Sequence, residues 1–136
     1  MGAVRFRQLP HTADVRLAVY GQNEEELMRH LALGIGRLVL GRTPQGPPKS
    51  SQRFPLPQDD LAARLVRVGN EVVFWLFAKG QVTVDVRLEG QDAELHLRPL
   101  GPRSTPHFEI KAVTFHALRP QAKGKAGLSA VLTLDL

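Results

Sequence analysis

The hydrophobic rhythm of this chain changes twice, and those changes limit its folds more than any single motif. From Asp14 to Tyr20, Val15, Leu17 and Val19 alternate with Arg16 and Ala18, the period of two of a half-buried strand. From Leu27 the spacing becomes helical, with Leu27, Leu31, Ile35 and Leu38 on one stripe. Leu61, Leu65, Val68, Val72 and Leu76 repeat that spacing. After Lys79-Gly80 the period returns to two: Val82, Val84, Val86 and Leu88 alternate with Thr83, Asp85 and Arg87. The order is strands, helix, helix, then a run of strands. It predicts an α+β fold in which two helices pack on one face of a mostly antiparallel sheet.

Local signals set the boundaries. Arg5 to Gln8 predicts a short first strand, and Gly21 ends the second. Asn23 offers an N-cap, with Glu26 three residues on as a capping-box partner. Glu24, Glu25 and Glu26 suit the positive end of the helix dipole, and Gly41 supplies a stop. Arg42 to Ser51 holds three Pro and one Gly and reads as a loop, since neither flank is large enough to be a domain. An extended piece from Gln52 to Leu56 precedes the second helix, which Asp59 or Asp60 can cap. Gly69 weakens the middle of that helix by about 1 kcal/mol relative to Ala. Gly90-Gln91 fits a two-residue hairpin turn, after which Ala93, Leu95 and Leu97 alternate with Glu94, His96 and Arg98. Pro102 to Pro106 reads as a loop. Phe108 to Leu118 predicts a long strand, central or bulged because Val113 and Phe115 put bulk on its second face. Gln121 to Gly127 is a polar turn, and Ala130, Leu132, Leu134 and Leu136 form a closing strand.

A length of 136 residues fits one domain, 1–136, with a core of useful size. At 43% hydrophobic and 23% charged, the composition is that of a soluble globular chain. There is no cysteine, which excludes disulfides, thiolate metal sites and thiol nucleophiles. No apolar run approaches the roughly 20 residues of a membrane span, and Met1 to Arg7 lacks the apolar segment of a secretory signal. A cytoplasmic location is the expectation. The formal charge of +5 favours an anionic partner such as RNA, or a protein with an acidic face. A solvated basic surface explains it equally well. With six Phe, one Tyr and one Trp, a base-stacking platform has few candidates.

Two acids stand out by position. Asp14 opens a strand and Asp135 almost closes the last one, each where side chains can converge on a sheet rim. With the terminal carboxylate of Leu136 they form a set of hard oxygen donors suited to calcium or magnesium. Mutual repulsion would favour a cation between them. From spacing alone, two solvated acids that never meet is the more ordinary reading. His11 could reach the same rim as a ligand or general acid/base, though a hydrogen-bonded turn residue is the commoner fate. Thr12 can cap or orient that loop. His116 shares strand parity with Phe108 and Ile110, which predicts a core histidine; Lys111 has the opposite parity, which predicts a solvated lysine. His30, His96 and His107 show no metal-ligand spacing. Neither a Gly-x-Ser-x-Gly elbow nor a Gly-x-x-x-x-Gly-Lys-Ser/Thr loop is present.

Three stretches together, Leu9-Pro10-His11-Thr12-Ala13-Asp14-Val15, Glu109-Ile110-Lys111-Ala112-Val113-Thr114-Phe115-His116 and Leu134-Asp135-Leu136, resemble the archease family. Ala32-Leu33-Gly34 and Asn70-Glu71 extend the likeness over nearly the whole chain. Pro10, Arg16 and Arg67 depart from it, standing where archeases often carry an acid, a Gly and an Asp. The resemblance implies an archease-like fold and a metal, calcium first, at Asp14, Asp135 and the Leu136 carboxylate. It raises Lys111 and His116, with His11 and Thr12, to supporting or partner-contact residues. It implies a protein that is not itself an enzyme. Such a protein would help the GTP-dependent tRNA-splicing RNA ligase guanylylate its own histidine and turn over repeatedly, touching tRNA indirectly if at all and no membrane. Two other classes stay open: a metal-dependent phosphoester hydrolase, and a general chaperone or RNA-binding module.

Overall fold

Nine elements follow one another along the chain: β1 (Phe6–Leu9), β2 (Val15–Gly21), α1 (Glu24–Leu40), β3 (Ser50–Pro55), α2 (Leu61–Lys79), β4 (Gln81–Glu89), β5 (Asp92–Pro99), β6 (Ala112–Leu118) and β7 (Leu128–Asp135). They come from a computed structural model that describes residues 5–9, 14–58, 60–118 and 127–136. The α+β class and the two helices agree with the sequence pattern. The strands, however, divide into two antiparallel sheets rather than one: β1-β2-β7-β6 and β3-β5-β4. The β4–β5 hairpin turns at Gly90-Gln91, with Glu89 opposite Asp92, and β3 adds along β5. The chain's two ends pair with each other instead, as β2 runs antiparallel to β7 from Val15–Leu134 to Gly21–Leu128.

The helices join the two sheets. α1 packs on β2 of the first sheet and β4 of the second, while α2 packs on β6 of the first, on β4 of the second and on α1. Leu27, Leu31 and Ile35 of α1 and Leu65, Val68 and Val72 of α2 are buried in a cluster that also takes Leu17, Leu132 and Leu134 from one sheet and Val86, Leu95 and Leu97 from the other. Each fully buried side chain of this size contributes about 1.5–3 kcal/mol by leaving water.

The predicted caps are in place. Asn23 accepts a hydrogen bond from the Glu26 N–H (2.8 Å), and the Glu26 side chain accepts from the Gln22 N–H (2.8 Å), one residue before the cap. Asp60, not Asp59, serves α2 by accepting from the Ala63 N–H at 3.0 Å; Asp59 lies outside the described residues. Gly41 ends α1 at φ 82°, and its N–H donates to the Arg37 carbonyl. Gly69 has a packing reason that helix propensity does not reveal. A Cβ there would stand 2.9 Å from Val113 Cγ1, so its absence lets α2 lie directly on β6.

Both strands that present an open side to a helix have that side answered by helix side chains. On β4, the Glu25 carboxylate accepts from the Leu88 N–H (2.9 Å), and Arg29 donates to Asp85 (2.5 Å) and to the Val86 carbonyl (3.5 Å). On β6, the Asn70 amide donates to the Val113 carbonyl and accepts from the Val113 N–H, both at 2.9 Å. This matters because an unpaired strand edge is a template for unwanted pairing.

Two register shifts break the simple alternation, between Thr83 and Asp85 in β4 and between Phe115 and Ala117 in β6. The second corrects the prediction for His116. It is the extra residue of the bulge and is exposed rather than in the core. The strand also begins only at Ala112, so parity counted from Phe108 does not carry through. It is bulged, as one of the two predicted options required, and lies at a sheet edge. Among the described residues, no helix is long and apolar enough to cross a membrane.

Candidate functional site

The pairing of β2 with β7 decides where the two acids go. Val15 and Leu134 are the last partners of that ladder, and the residues flanking them, Asp14 and Asp135, sit at the same end of adjacent strands. On the other side of β7, Asp135 pairs with Ala112 of β6, and the Lys111 N–H donates to the Asp135 carbonyl at 2.7 Å. Three strands thus bring Asp14, Asp135 and Lys111 to one rim although the two acids stand 121 positions apart in the chain. Both acids are half-buried, Lys111 is exposed just before β6 begins, and Leu136 follows with 48% of its surface exposed. His11 and Thr12 lie outside the described residues.

The donor set is carboxylate oxygen on a strand rim, which fits a hard cation such as calcium in chemical type. Among the described residues, no group of three or more His, Cys, Asp or Glu side chains could by itself hold a metal, so a site here would draw on main-chain oxygen as well. Arg16 adds a further charge. It pairs with Thr133 one step inward along β2. Its Nε is buried without a hydrogen-bond partner among the described residues. Its positive charge makes this end of the sheet less acidic overall.

A second polar cluster, on β4 and β5, escaped the sequence reading. Asp85 meets Arg29 at 2.5 Å, Arg87 at 3.1 Å and His96 at 3.9 Å, and His96 in turn meets Glu94 at 2.8 Å. Burial works against ionising Asp85. The Arg29 hydrogen bond and charge, the Val86 N–H and the Arg87 charge together outweigh it, and the carboxyl is held below its ordinary value of 3.8. A Glu25-Arg29 pair at i,i+4 was visible in the sequence; its partner on β4 was not, because contact across elements leaves no local signal. This cluster is structural, since it fastens α1 to a strand edge.

A sequence profile of the archease protein family matches residues 6–136. The chain belongs to the archease family. Similar curated proteins include the archease of Methanosarcina mazei, 26% identical with 97% of this chain and 96% of that protein covered. A probable archease of Mycobacterium tuberculosis is 27% identical, with 96% and 74% covered. Among solved structures, an archease from Thermotoga maritima, described as a possible chaperone, superposes with a TM-score of 0.64 at 21% identity and covers both chains fully. A solution structure from Methanobacterium thermoautotrophicum gives 0.65 at 18% identity, covering 96% and 98%. At these identities the structures establish a shared fold. In this archease the motifs that carried the resemblance have definite places: Asp14 and Leu134-Asp135-Leu136 on one rim, Lys111 to His116 running from that rim along β6, and Asn70 clasping β6 from α2.

Proposed function

We propose that this protein is a non-enzymatic cofactor of the GTP-dependent tRNA-splicing RNA ligase, promoting guanylylation of the ligase and its repeated turnover. Membership of the archease family supports the ligase partner. The observation that carries the mechanism is the β2–β7 register, which sets Asp14 and Asp135 at one rim. On this reading Asp14, Asp135 and a main-chain oxygen of Leu136 hold a divalent cation, calcium by preference, which supplies positive charge at a surface that docks beside the ligase active site. The chemistry of joining belongs to the ligase. Lys111 and His116 are both exposed on the segment that leads away from the rim, and they contact the ligase. His11 and Thr12, which precede Asp14 in the chain, support the rim.

RNA joining by the cognate ligase over many turnovers, with and without this protein, is the deciding experiment. Wild type stimulates, and Asp14→Ala does not. Loss of stimulation with the variant still folded ties the role to the rim; equal stimulation by Asp14→Ala removes the rim from the mechanism. If neither stimulates a competent cognate ligase, the cofactor reading fails and a phosphoester-hydrolysis screen becomes the next step. Calcium added to the protein alone raises its melting temperature by mass action. Arg16→Gly enlarges that rise by removing the competing guanidinium, whereas Asp135→Asn abolishes it.

A further inference from the structure

A cleft of about 310 Å³ lies at the C-terminal end of α1, between the loop that follows that helix and the end of β5. Its floor is apolar, with Leu40, Val82 and Leu100, and its polar wall carries Arg42, Arg98 and Ser104. None of the residues that line it is acidic, and neither arginine pairs with a carboxylate among the described residues. This sets them apart from Arg29, Arg53, Arg64, Arg67 and Arg87, each of which has an acidic partner. Two arginines without a carboxylate partner lining one cavity are a standing attraction for an anion.

The wall is built rather than accidental. Arg98 Nη1 donates to the Pro47 carbonyl at 2.8 Å, and the chain passes beneath it at Gly46. That residue has a φ of 109°, and a Cβ there would collide with the same Nη1 atom. Gly36 of α1 does the equivalent for the other end of the loop, since a Cβ there would collide with the Pro44 ring. Lys49 closes the loop by donating its N–H to the Leu97 carbonyl at 2.7 Å. Arg42 Nη2 donates to Ser104 Oγ at 3.4 Å, and Ser104 sits on a turn closed by its N–H to the Gly101 carbonyl at 3.0 Å. Arg103, the neighbour of Ser104 in the chain, is exposed on that turn.

We propose that this cleft binds a small phosphate ester with an apolar or heterocyclic body, such as a nucleotide. Its phosphate lies between Arg98 and Arg42, and its body rests on Leu40, Val82 and Leu100. The volume falls at the lower end of the range for small-ligand pockets, which suits one nucleoside-sized group. Guanidinium forks recognise phosphate oxygens in pairs, and the apolar floor selects against bare phosphate.

The test is titration of the full-length protein with AMP, with inorganic phosphate and with a short single-stranded oligonucleotide, followed by calorimetry and by amide shifts in NMR spectra. The expected result is saturable AMP binding with a Kd of about 1 mM or tighter. Shifts should centre on residues 42–45 and 98–104, and inorganic phosphate should bind more weakly. Arg98→Gln and the more exposed Arg42→Gln should each weaken AMP at least about tenfold, and Lys79→Gln should leave it unchanged. Affinity unaltered in a folded Arg42→Gln variant overturns the proposal, as does the absence of saturable AMP binding. An oligonucleotide that binds more tightly than AMP, with a steep salt dependence, also overturns it by assigning the arginines to a nucleic-acid backbone.

Discussion

The two helices are fastened to the sheets by opposite chemistries. α1 holds the open side of β4 with charges: Glu25 on the Leu88 N–H, and Arg29 on Asp85 and the Val86 carbonyl. α2 holds the open side of β6 with a neutral amide, Asn70 on both backbone groups of Val113, and with a helix surface stripped to hydrogen at Gly69. The first joint tolerates some distance because long side chains span it, and it depends on ionisation and salt. The second depends on contact and is indifferent to both. The β6 joint is also the one beside the candidate rim: Val113 lies two residues from Lys111, and Ala112 between them pairs with Asp135. The rim is therefore positioned by shape, while the charged joint steadies the other sheet.

The sharpest way to break this comparison is at Gly69. Gly69→Val should destabilise the protein by about 3 kcal/mol in chemical denaturation, because bulk is forced against a well-packed strand. Gly69→Ala is the finer probe. Helix propensity alone would stabilise it by about 1 kcal/mol, yet its Cβ would press on the branched side chain of Val113, which is 1% exposed. Net destabilisation by Ala confirms close contact. Net stabilisation shows that α2 stands off β6 and that the shape-based joint does not exist.

Asn70 comes next. Asn70→Ala leaves the buried Val113 N–H and carbonyl without their Asn70 partner, which should cost about 2 kcal/mol. Asn70→Asp keeps the acceptor but turns an oxygen toward the Val113 carbonyl, so it should be no milder. Amide exchange reads the joint directly, since the Val113 N–H should lose protection in both variants while the Leu88 N–H keeps its own. Equal loss at both amides would mean that the two joints open as one unit.

Acidification should separate the joints in the other direction. Asp85 is held below its ordinary 3.8 in the folded protein, so the unfolded chain takes up its proton first as pH falls. The stability it contributes is complete above the unfolded value and drains away as pH drops from about 3.8 through the folded value. Leu88 protection should fall in that window, ahead of Val113 protection. Asp85→Asn should cost about 1–2 kcal/mol near neutral pH and should flatten this part of the acid dependence. An unchanged acid profile in Asp85→Asn would assign the sensitivity to other carboxylates.

How much of this was legible in the sequence depends on whether the signal is local. Asn23, Glu26, Gly41 and Asp60 mark helix ends through bonds that span three or four residues, and Gly90-Gln91 marks a hairpin whose strands are neighbours. All of them read correctly. The division into two sheets did not, because alternation says which face of a strand is buried and not which strand it pairs with. His116 was misplaced because its parity was counted from Phe108 and Ile110, which precede β6; within the strand Val113 is the buried residue, and Thr114, two residues before His116, is already exposed. Asp14 and Asp135 could be singled out by chemistry and by family resemblance, but only the Val15–Leu134 register puts them on one rim. Gly69 looked like a flaw in a helix and is a contact surface. Asp85 looked like one polar residue of an alternating strand and is the centre of an ion-pair cluster.

The smallest expected effect is also the cleanest test of the comparison. Raising the salt to about 1 M shortens the screening length to about 3 Å, comparable to the ion-pair distances at Asp85. These side chains are only partly withdrawn from water, so the α1–β4 joint should weaken by less than about 1 kcal/mol. The amide joint should be unmoved. The ratio of Leu88 to Val113 exchange protection cancels general salt effects on stability and isolates the difference. In Arg29→Gln that ratio should start lower and respond less to salt, because the Arg29–Asp85 ion pair has been removed. A salt response that survives in Arg29→Gln would place the sensitivity in the remaining charge of the joint, the Glu25 carboxylate on the Leu88 N–H, rather than in the Arg29–Asp85 pair.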